Sequence, residues 1–191
     1  MGPQCQAWHH DRINTRAEDA KALGIPLIIS EFGACYGSDV CAREITQVAD
    51  ECDKVLAGWA YWEFKIYKDL TTTAGTGSEG FYNQDGSLQD VKVKALARTY
   101  LPSTQGTLLS MNFNVNTSDF TATFRLNASI TLPTEIYINE QYWYPNNYTI
   151  TISPENGKSF TIPSTNSEFG IHTFLLTEND GQIVTVTVAQ Q

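Results

Sequence analysis

Basic residues are scarce in this chain: 12 Lys and Arg stand against 21 Asp and Glu among 191 residues. The formal net charge is −9 at pH 7, and the pI is near 4.7. A protein that binds nucleic acid needs cationic groups opposite the phosphates, so this balance disfavours a nucleic-acid partner. The lack of a basic patch also disfavours recognition of anionic lipid headgroups.

Long apolar runs are also absent. No stretch reaches the roughly 20 apolar residues that a transmembrane helix needs. The first ten residues, MGPQCQAWHH, contain neither a basic region nor an apolar one, so no signal peptide is expected at this start. A hydrophobic content of 41% with 17% charged residues is nevertheless typical of a globular protein.

Histidine and cysteine are too sparse and too scattered for a zinc site, and no metal site is predicted. The cysteines Cys5, Cys35, Cys41 and Cys52 form no Cys-x-x-Cys pair. Four cysteines allow three disulfide connectivities. Cys35 and Cys41 flank a short loop, so we predict this pair first; the alternative is that the thiols are free and buried.

Three Asn-x-Ser/Thr sequons begin at Asn116, Asn127 and Asn147. A single sequon is easily explained by chance, but three in one Thr- and Asn-rich segment favour N-glycosylation. Together with the cysteines, they predict a secreted or lysosomal parent protein.

Residues 1–104 alternate between helical and strand patterns. Residues 12–24 have helical spacing, which Gly24 and Pro26 bring to an end. The continuous apolar run LIIS, residues 27–30, predicts a strand that is buried on both faces of a parallel sheet. The further predicted elements are a helix capped by Ser38 or Asp39, an aromatic strand at 58–64, a loop at 65–87 and a helix at 88–100. This order is typical of the tail of an alternating α/β fold.

Residues 105–191 have only strand patterns. The segments EIYIN, YTITIS and IVTVTV alternate with period two, which places Val184, Val186 and Val188 on one face. Residues 154–157 and 179–181 are predicted hairpin turns. About seven or eight short strands at this spacing predict a small antiparallel β-sandwich.

Glu31 follows the apolar run of residues 27–30 directly, and Phe32 and Gly33 come next. Active sites in α/β folds lie at the C-terminal edge of the sheet, where a carboxylate at a strand end is available for chemistry. The structural alternatives are that Glu31 caps the following helix or pairs with an arginine.

The segment IPLIISEFGAC, followed 27 residues after Glu31 by GWAYWEFK, resembles the last two strands of the family 5 glycoside hydrolases, the cellulase family. The GWAYWEFK form and the strand-rich segment after it look most like the endoglycoceramidase-like branch. The resemblance covers roughly residues 11–100. It implies the C-terminal part of a (β/α)8 TIM barrel, strands 7 and 8 with flanking helices, followed by the β-sandwich.

The resemblance also implies a retaining mechanism on O-glycosyl bonds, with Glu31 as the nucleophile and Trp62 stacking on the sugar. Lys65 would reach a substrate hydroxyl, or would simply be solvated. The acid/base glutamate of the family lies on the fourth strand, which this chain does not supply. No cofactor is implied, since two carboxylates suffice for this chemistry.

Two other glutamates are weaker candidates for the second acid. Glu63 follows Trp62 directly, and in a strand its side chain would point to the opposite face. Asn139-Glu140 lies in the strand-rich part, where it predicts a turn. The chain is therefore expected to need the rest of a barrel before it can catalyse.

A different class of function is a carbohydrate-binding or scaffold module centred on the sandwich. It would use the aromatic residues of INEQYWYPNNY: Tyr142, Trp143, Tyr144 and Tyr148. The structural alternative is that these rings fill the sandwich core. For the enzyme, both a glycolipid such as glycosylceramide and a β-glucan remain open as substrates. A lipid group would need an apolar groove near Glu31, to which the predicted contributors are Phe64, Ile66, Tyr67, Phe81 and Tyr82.

Overall fold

The computed structural model describes residues 3–65, 78–164 and 169–191. The chain forms two compact units, Met1–Leu96 and Ala97–Gln191, here called the N-terminal and the C-terminal unit. In the described residues, no helix combines the length and the apolar character that crossing a membrane requires.

The boundary between the units follows Leu96, whereas the sequence placed it after residue 104. The predicted helix at 88–100 ends at Leu96, and Tyr100 begins a strand instead. Leu101 is buried in the core of the C-terminal unit, and Pro102 cannot continue a helix. Burial of Leu101 in that core stabilises the fold more than a continued helix would, although the preceding residues have helical spacing.

Among its described residues, the N-terminal unit is an α/β arrangement in which helices pack on one face of a two-stranded parallel sheet. Its elements are α1 (Pro3–Leu23), β1 (Ile28–Gly33), α2 (Asp39–Val55), β2 (Gly58–Trp62) and α3 (Asp90–Leu96). Strands β1 and β2 pair from Ile28↔Gly58 to Gly33↔Trp62, with a register shift between Ile29 and Phe32. The alternating α/β prediction for this part of the chain is confirmed.

Local signals set the helix ends. Gly24 adopts a φ of 66° immediately after α1, as the sequence predicts. Ser38 is the N-cap of α2, and its hydroxyl accepts from the Cys41 amide. The helical spacing of α2 predicts an apolar stripe at Ile45, Val48, Cys52, Val55 and Leu56. The first three of these are buried, whereas Val55 and Leu56, at the end of the helix, are half-buried.

Strand β1 is not buried on both faces, which corrects the prediction from residues 27–30. Ile29 and Phe32 pack with Val48 and Cys52 of α2, but Ile28 is 63% exposed. Within the described residues, the sheet has two strands and its helices cover one face. The apolar run predicts packing partners on both faces of β1, but the described residues pack against only one face.

In its described residues, the C-terminal unit contains two antiparallel sheets and one short helix. The five-stranded sheet has the order β4-β5-β10-β7-β8, and the three-stranded sheet has the order β3-β6-β9. The elements are β3 (Tyr100–Ser103), β4 (Gly106–Phe113), β5 (Phe120–Leu126), β6 (Thr134–Tyr137), α4 (Glu140–Trp143), β7 (Tyr148–Pro154), β8 (Phe160–Ile162), β9 (Ile171–Phe174) and β10 (Ile183–Gln190). Both sheets contribute side chains to one hydrophobic core.

The alternation of β10 is confirmed, because Val184, Val186 and Val188 are fully buried. Residues 154–157 form the turn between the paired strands β7 and β8. The turn at 179–181 is also present, but it is not a hairpin. It leads from β9 in the three-stranded sheet to β10 in the five-stranded sheet, so the strands that it joins do not pair.

Candidate functional site

Glu31 and Trp62 lie at the C-terminal ends of the two parallel strands. Gly33, two residues after Glu31, pairs with Trp62 across the sheet, and Glu31 lies in the stretch of shifted register. The side chain of Glu31 is exposed, and that of Trp62 is 37% exposed. The structure therefore brings the predicted nucleophile and the predicted sugar-stacking residue to the same edge of one sheet.

Gly33 lets the two strand ends approach closely. Its φ is 137°, which side-chain-bearing residues rarely adopt. A Cβ at this position would lie 2.5 Å from Cε2 of Tyr61 and 2.7 Å from the carbonyl oxygen of Trp62. The glycine of the Glu-Phe-Gly motif is thus required by the geometry of the neighbouring strand.

The loop after Glu31 is closed by a disulfide between Cys35 and Cys41, which confirms the predicted pairing. Cys5 and Cys52 are not part of this disulfide. The structural alternatives for Glu31 gain no support: Ser38 caps α2, and none of the ion pairs within the described ranges includes Glu31.

A cavity of about 700 Å³ lies between α1 and β1, and Glu31 forms part of its wall. Trp8, Arg12 and Arg16 of α1 also line it. The Arg12 guanidinium lies 4.9 Å from the centroid of the Trp8 ring, a cation–π distance. Glu31 therefore borders a cavity whose wall includes cationic and aromatic side chains.

The other aromatic residues of β2, Trp59 and Tyr61, pack against Phe32 of β1. The ring of Phe32 makes edge contacts with those of Trp59 and Tyr61, at 5.7 and 5.6 Å between centroids. Burial, and after it the charge of Glu79, raises the pKa of Tyr61 to about 12. Trp62 is left as the exposed ring of this strand.

Lys65 is exposed beyond the end of β2, and no described contact joins it to Glu31 or Trp62. Glu63 is joined to Trp62 by a cis peptide bond. Its side chain is buried, in contrast to those of Glu31 and Trp62, in keeping with the prediction that it points elsewhere.

Asn139 and Glu140 have structural roles in the C-terminal unit. The predicted turn is the start of α4: the side chain of Asn139 accepts from the Tyr142 amide as the N-cap. The Tyr148 hydroxyl donates to Glu140 at 2.6 Å and lies 3.0 Å from Nε2 of His172. This buried arrangement holds α4 against β7 and β9.

The aromatic cluster of the C-terminal unit does not form an exposed platform. Trp143, Tyr144 and Tyr148 are buried, and Tyr142 is half-buried against the same core. The structure thus favours the core interpretation over a sugar-binding surface at these rings.

Lys92 was not singled out from the sequence. Its side chain is fully buried, and its ammonium donates to the carbonyls of Ser78 and Gly80 at 3.1 and 2.8 Å. Burial lowers the pKa of Lys92 to about 8. A lysine on a short helix is usually exposed, and its partners are backbone carbonyls, so no sequence signal marks this contact.

Comparisons with known proteins agree with this geometry. Residues 2–68 match the cellulase family, glycosyl hydrolase family 5, and residues 98–188 match the glycoside hydrolase family 5 C-terminal domain. An endoglycoceramidase from Cyanea nozakii is 22% identical over 146 residues, covering 76% of this chain and 29% of that protein.

Solved structures share the fold of this chain. Endo-glycoceramidase II from Rhodococcus sp. aligns with 92% of this chain and 36% of its own, at 25% identity and a TM-score of 0.66. Sterylglucosidase 1 from Cryptococcus neoformans aligns with 97% of this chain and 31% of its own, at 14% identity and a TM-score of 0.67. The chain spans about a third of the length of these relatives. It belongs to glycoside hydrolase family 5 and is similar to the endoglycoceramidases within that family.

Proposed function

We propose that this chain carries the nucleophile half of the active site of a retaining β-glycosidase that cleaves glycolipids. The observation that carries the proposal is the placement of Glu31 and Trp62 at the C-terminal edge of adjacent parallel strands, with Gly33 paired to Trp62. Catalytic groups of α/β barrels lie at this edge.

Glu31 attacks the anomeric carbon of the sugar and forms a covalent glycosyl-enzyme intermediate, while the leaving oxygen takes a proton from a second carboxylic acid. That acid then acts as a base on the water that releases the sugar. The two carboxyl groups of a retaining enzyme lie about 5 Å apart. The exposed ring of Trp62 offers a flat apolar surface for the C–H face of the sugar.

The second carboxylic acid is proposed to come from barrel segments beyond this chain. A (β/α)8 barrel needs about 250 residues, and the N-terminal unit supplies two parallel strands among its described residues. The exposed side of β1 at Ile28 is consistent with a further strand or layer that covers it in the complete barrel. The chain alone is then inactive. In the same proposal, the two sheets of the C-terminal unit are the faces of a β-sandwich.

A lipid leaving group is favoured by an aromatic cluster next to Trp62. Phe64 is 58% exposed, and its ring lies 5.4 Å from that of Phe81 and 5.8 Å from that of Tyr82. Ile66 and Tyr67, also predicted for this groove, lie outside the described residues. The names of the relatives, endoglycoceramidase and sterylglucosidase, point to the same substrate class, a sugar linked to an apolar group.

A secreted or lysosomal location is part of the proposal. Asn116, Asn127 and Asn147 are all exposed at loops of the C-terminal unit, so folding leaves each sequon accessible. The disulfide of the N-terminal unit also favours an oxidising compartment.

The test is hydrolysis of a panel of β-glucosides by the chain extended with its preceding barrel segments. Glucosylceramide and a steryl glucoside should be cleaved faster than a cello-oligosaccharide. Glu31→Gln should abolish hydrolysis of all three, whereas Glu18→Gln, at an exposed carboxylate of α1, should leave it unchanged. A Glu31→Gln variant with full activity would refute the proposed site, and faster cleavage of the cello-oligosaccharide would refute the substrate class.

A further inference from the structure

One buried side chain, that of Gln89, contacts both loops that follow the strand ends of the site. Its Oε1 accepts a hydrogen bond from the Gly37 amide at 2.7 Å, and its Nε2 donates to the carbonyl of Tyr82 at 3.2 Å. Gln89 is 5% exposed. Because both ends of its amide are engaged away from bulk water, these bonds hold the two loops in one arrangement.

The first loop connects β1 to α2 and leaves the sheet two residues after Glu31. Gly37 lies between the disulfide-bonded Cys35 and the helix cap Ser38. A Cβ on Gly37 would lie 2.8 Å from Cβ and 2.9 Å from Oε1 of Gln89, so the backbone of this loop is seated directly on that side chain. Gln89 therefore fixes the loop at its middle, in addition to the disulfide.

The second loop connects β2 to α3 and leaves the sheet after Trp62. The backbone N–H of Phe81 donates to the carbonyl of Phe64 at 3.0 Å, and this bond joins the start of the loop to the part that leads into α3. The backbone N–H of Gln89 donates to the backbone carbonyl of Phe81 at 2.8 Å. The backbone carbonyl of Gln89 accepts from the backbone N–H of Lys92 at the start of α3. Gln89 is thus anchored by its backbone in one loop while its side chain holds the other.

We propose that Gln89 is a positioning residue for the glycosidase site: it sets the loop after Glu31 relative to the loop after Trp62, and so the nucleophile relative to the sugar-stacking ring. This role rests on the proposed function above. It requires no contact between Gln89 and the substrate. A displacement of about 1 Å between reacting groups can lower a rate by roughly 100-fold.

The structural part of the proposal can be tested on the 191-residue chain by amide hydrogen exchange followed by NMR. Gln89→Met keeps the length of the side chain and removes the acceptor, so exchange at Gly37 should become at least tenfold faster. Gln89→Glu keeps an acceptor oxygen toward Gly37 and should restore most of the protection. Gln6→Met, at an exposed glutamine of α1, is the matched control and should change nothing at Gly37.

The catalytic part is tested on the extended chain. Gln89→Met should lower kcat/KM for a glucosylceramide by 10- to 100-fold, mainly through kcat, and Gln89→Glu should recover it to within a few-fold. Unchanged exchange at Gly37 in Gln89→Met would overturn the contact itself. Faster exchange with unchanged kcat/KM would overturn the positioning role. An extended wild-type chain without glycosidase activity would refute the proposed function and this role with it, while the exchange result would still decide the contact.

Discussion

Gly33→Ala is expected to force the ends of β1 and β2 apart. The added Cβ would lie 2.5 Å from the ring of Tyr61 and 2.7 Å from the carbonyl oxygen of Trp62. The carbonyl belongs to the paired strand, so it cannot move without a shift of the backbone that carries the exposed tryptophan. A φ of 137° also has to change for a residue with a side chain.

The magnitude follows from two contributions. An unfavourable φ costs about 1–2 kcal/mol, and overpacking against a fixed neighbour costs about 1–3 kcal/mol. Gly33→Ala should therefore lower the free energy of unfolding of the N-terminal unit by about 2–5 kcal/mol. Gly24→Ala is the matched control: Gly24 has a φ of 66°, but a Cβ there would meet nothing within 4 Å. Its cost should be limited to about 1–2 kcal/mol.

The assay is urea unfolding of the 191-residue chain, followed by methyl NMR signals from each unit. Ala49, fully buried in α2, reports on the N-terminal unit, and Ala122, fully buried in β5, reports on the C-terminal unit. Gly33→Ala should shift the Ala49 transition to lower urea and leave the Ala122 transition in place. An Ala49 transition shifted no further than that of Gly24→Ala would refute the steric argument.

Two further predictions concern buried polar groups. Burial lowers the pKa of Lys92 to about 8, so between pH 8 and its ordinary value of 10.5 the unfolded chain binds more protons than the folded one. The difference in the free energy of unfolding between wild type and Lys92→Met (wild type minus variant) should therefore increase with pH over this range, by at most about 1.4 kcal/mol per pH unit. The Ala49 unfolding transition measures this difference for both proteins. A difference that stays constant or decreases with pH would contradict the prediction. Tyr148→Phe removes the hydroxyl that donates to Glu140 and contacts His172, and it should destabilise the C-terminal unit by about 1–3 kcal/mol. The Ala122 transition measures that loss, and an unchanged midpoint would argue against a role for this hydroxyl in stability.

The sequence predicts the structure correctly where residue periodicity and local chemistry are enough to determine it. The valines of β10, the stripe of α2 and the Ser38 cap all have short-range signatures, and the structure confirms them. The same holds for the Cys35–Cys41 pair, because two cysteines that flank a short loop have few other partners within reach.

Predictions failed where a distant part of the chain decides the outcome. The helical pattern of residues 88–100 stops at Leu96 because Leu101 is drawn into the core of the C-terminal unit. Pro102 was the available signal, since proline is tolerated in an edge strand such as β3 but not within a helix. The exposure of Ile28 could not be foreseen, because an apolar run shows that a strand needs cover without showing which segment provides it.

In the candidate site, too, some residues have a local sequence signal and others depend on distant parts of the chain. Glu31 and Trp62 follow from motif and position in the chain, since parallel strands bring their C-terminal ends to one edge. Gln89 and Lys92 have no such signature. Their side chains bond to backbone atoms of residues such as Gly37 and Gly80, and those contacts exist only after the loops have folded.

Labelling with a mechanism-based 2-fluoroglycoside is the direct test of whether Glu31 is the catalytic nucleophile. The extended chain would be inactivated with a 2-fluoroglucoside, digested and analysed by peptide mass spectrometry. If Glu31 is the nucleophile, a single sugar adduct should be found on the peptide that contains Glu31, and none on the Glu31→Gln variant. An active enzyme whose label falls on another carboxylate would contradict the assignment.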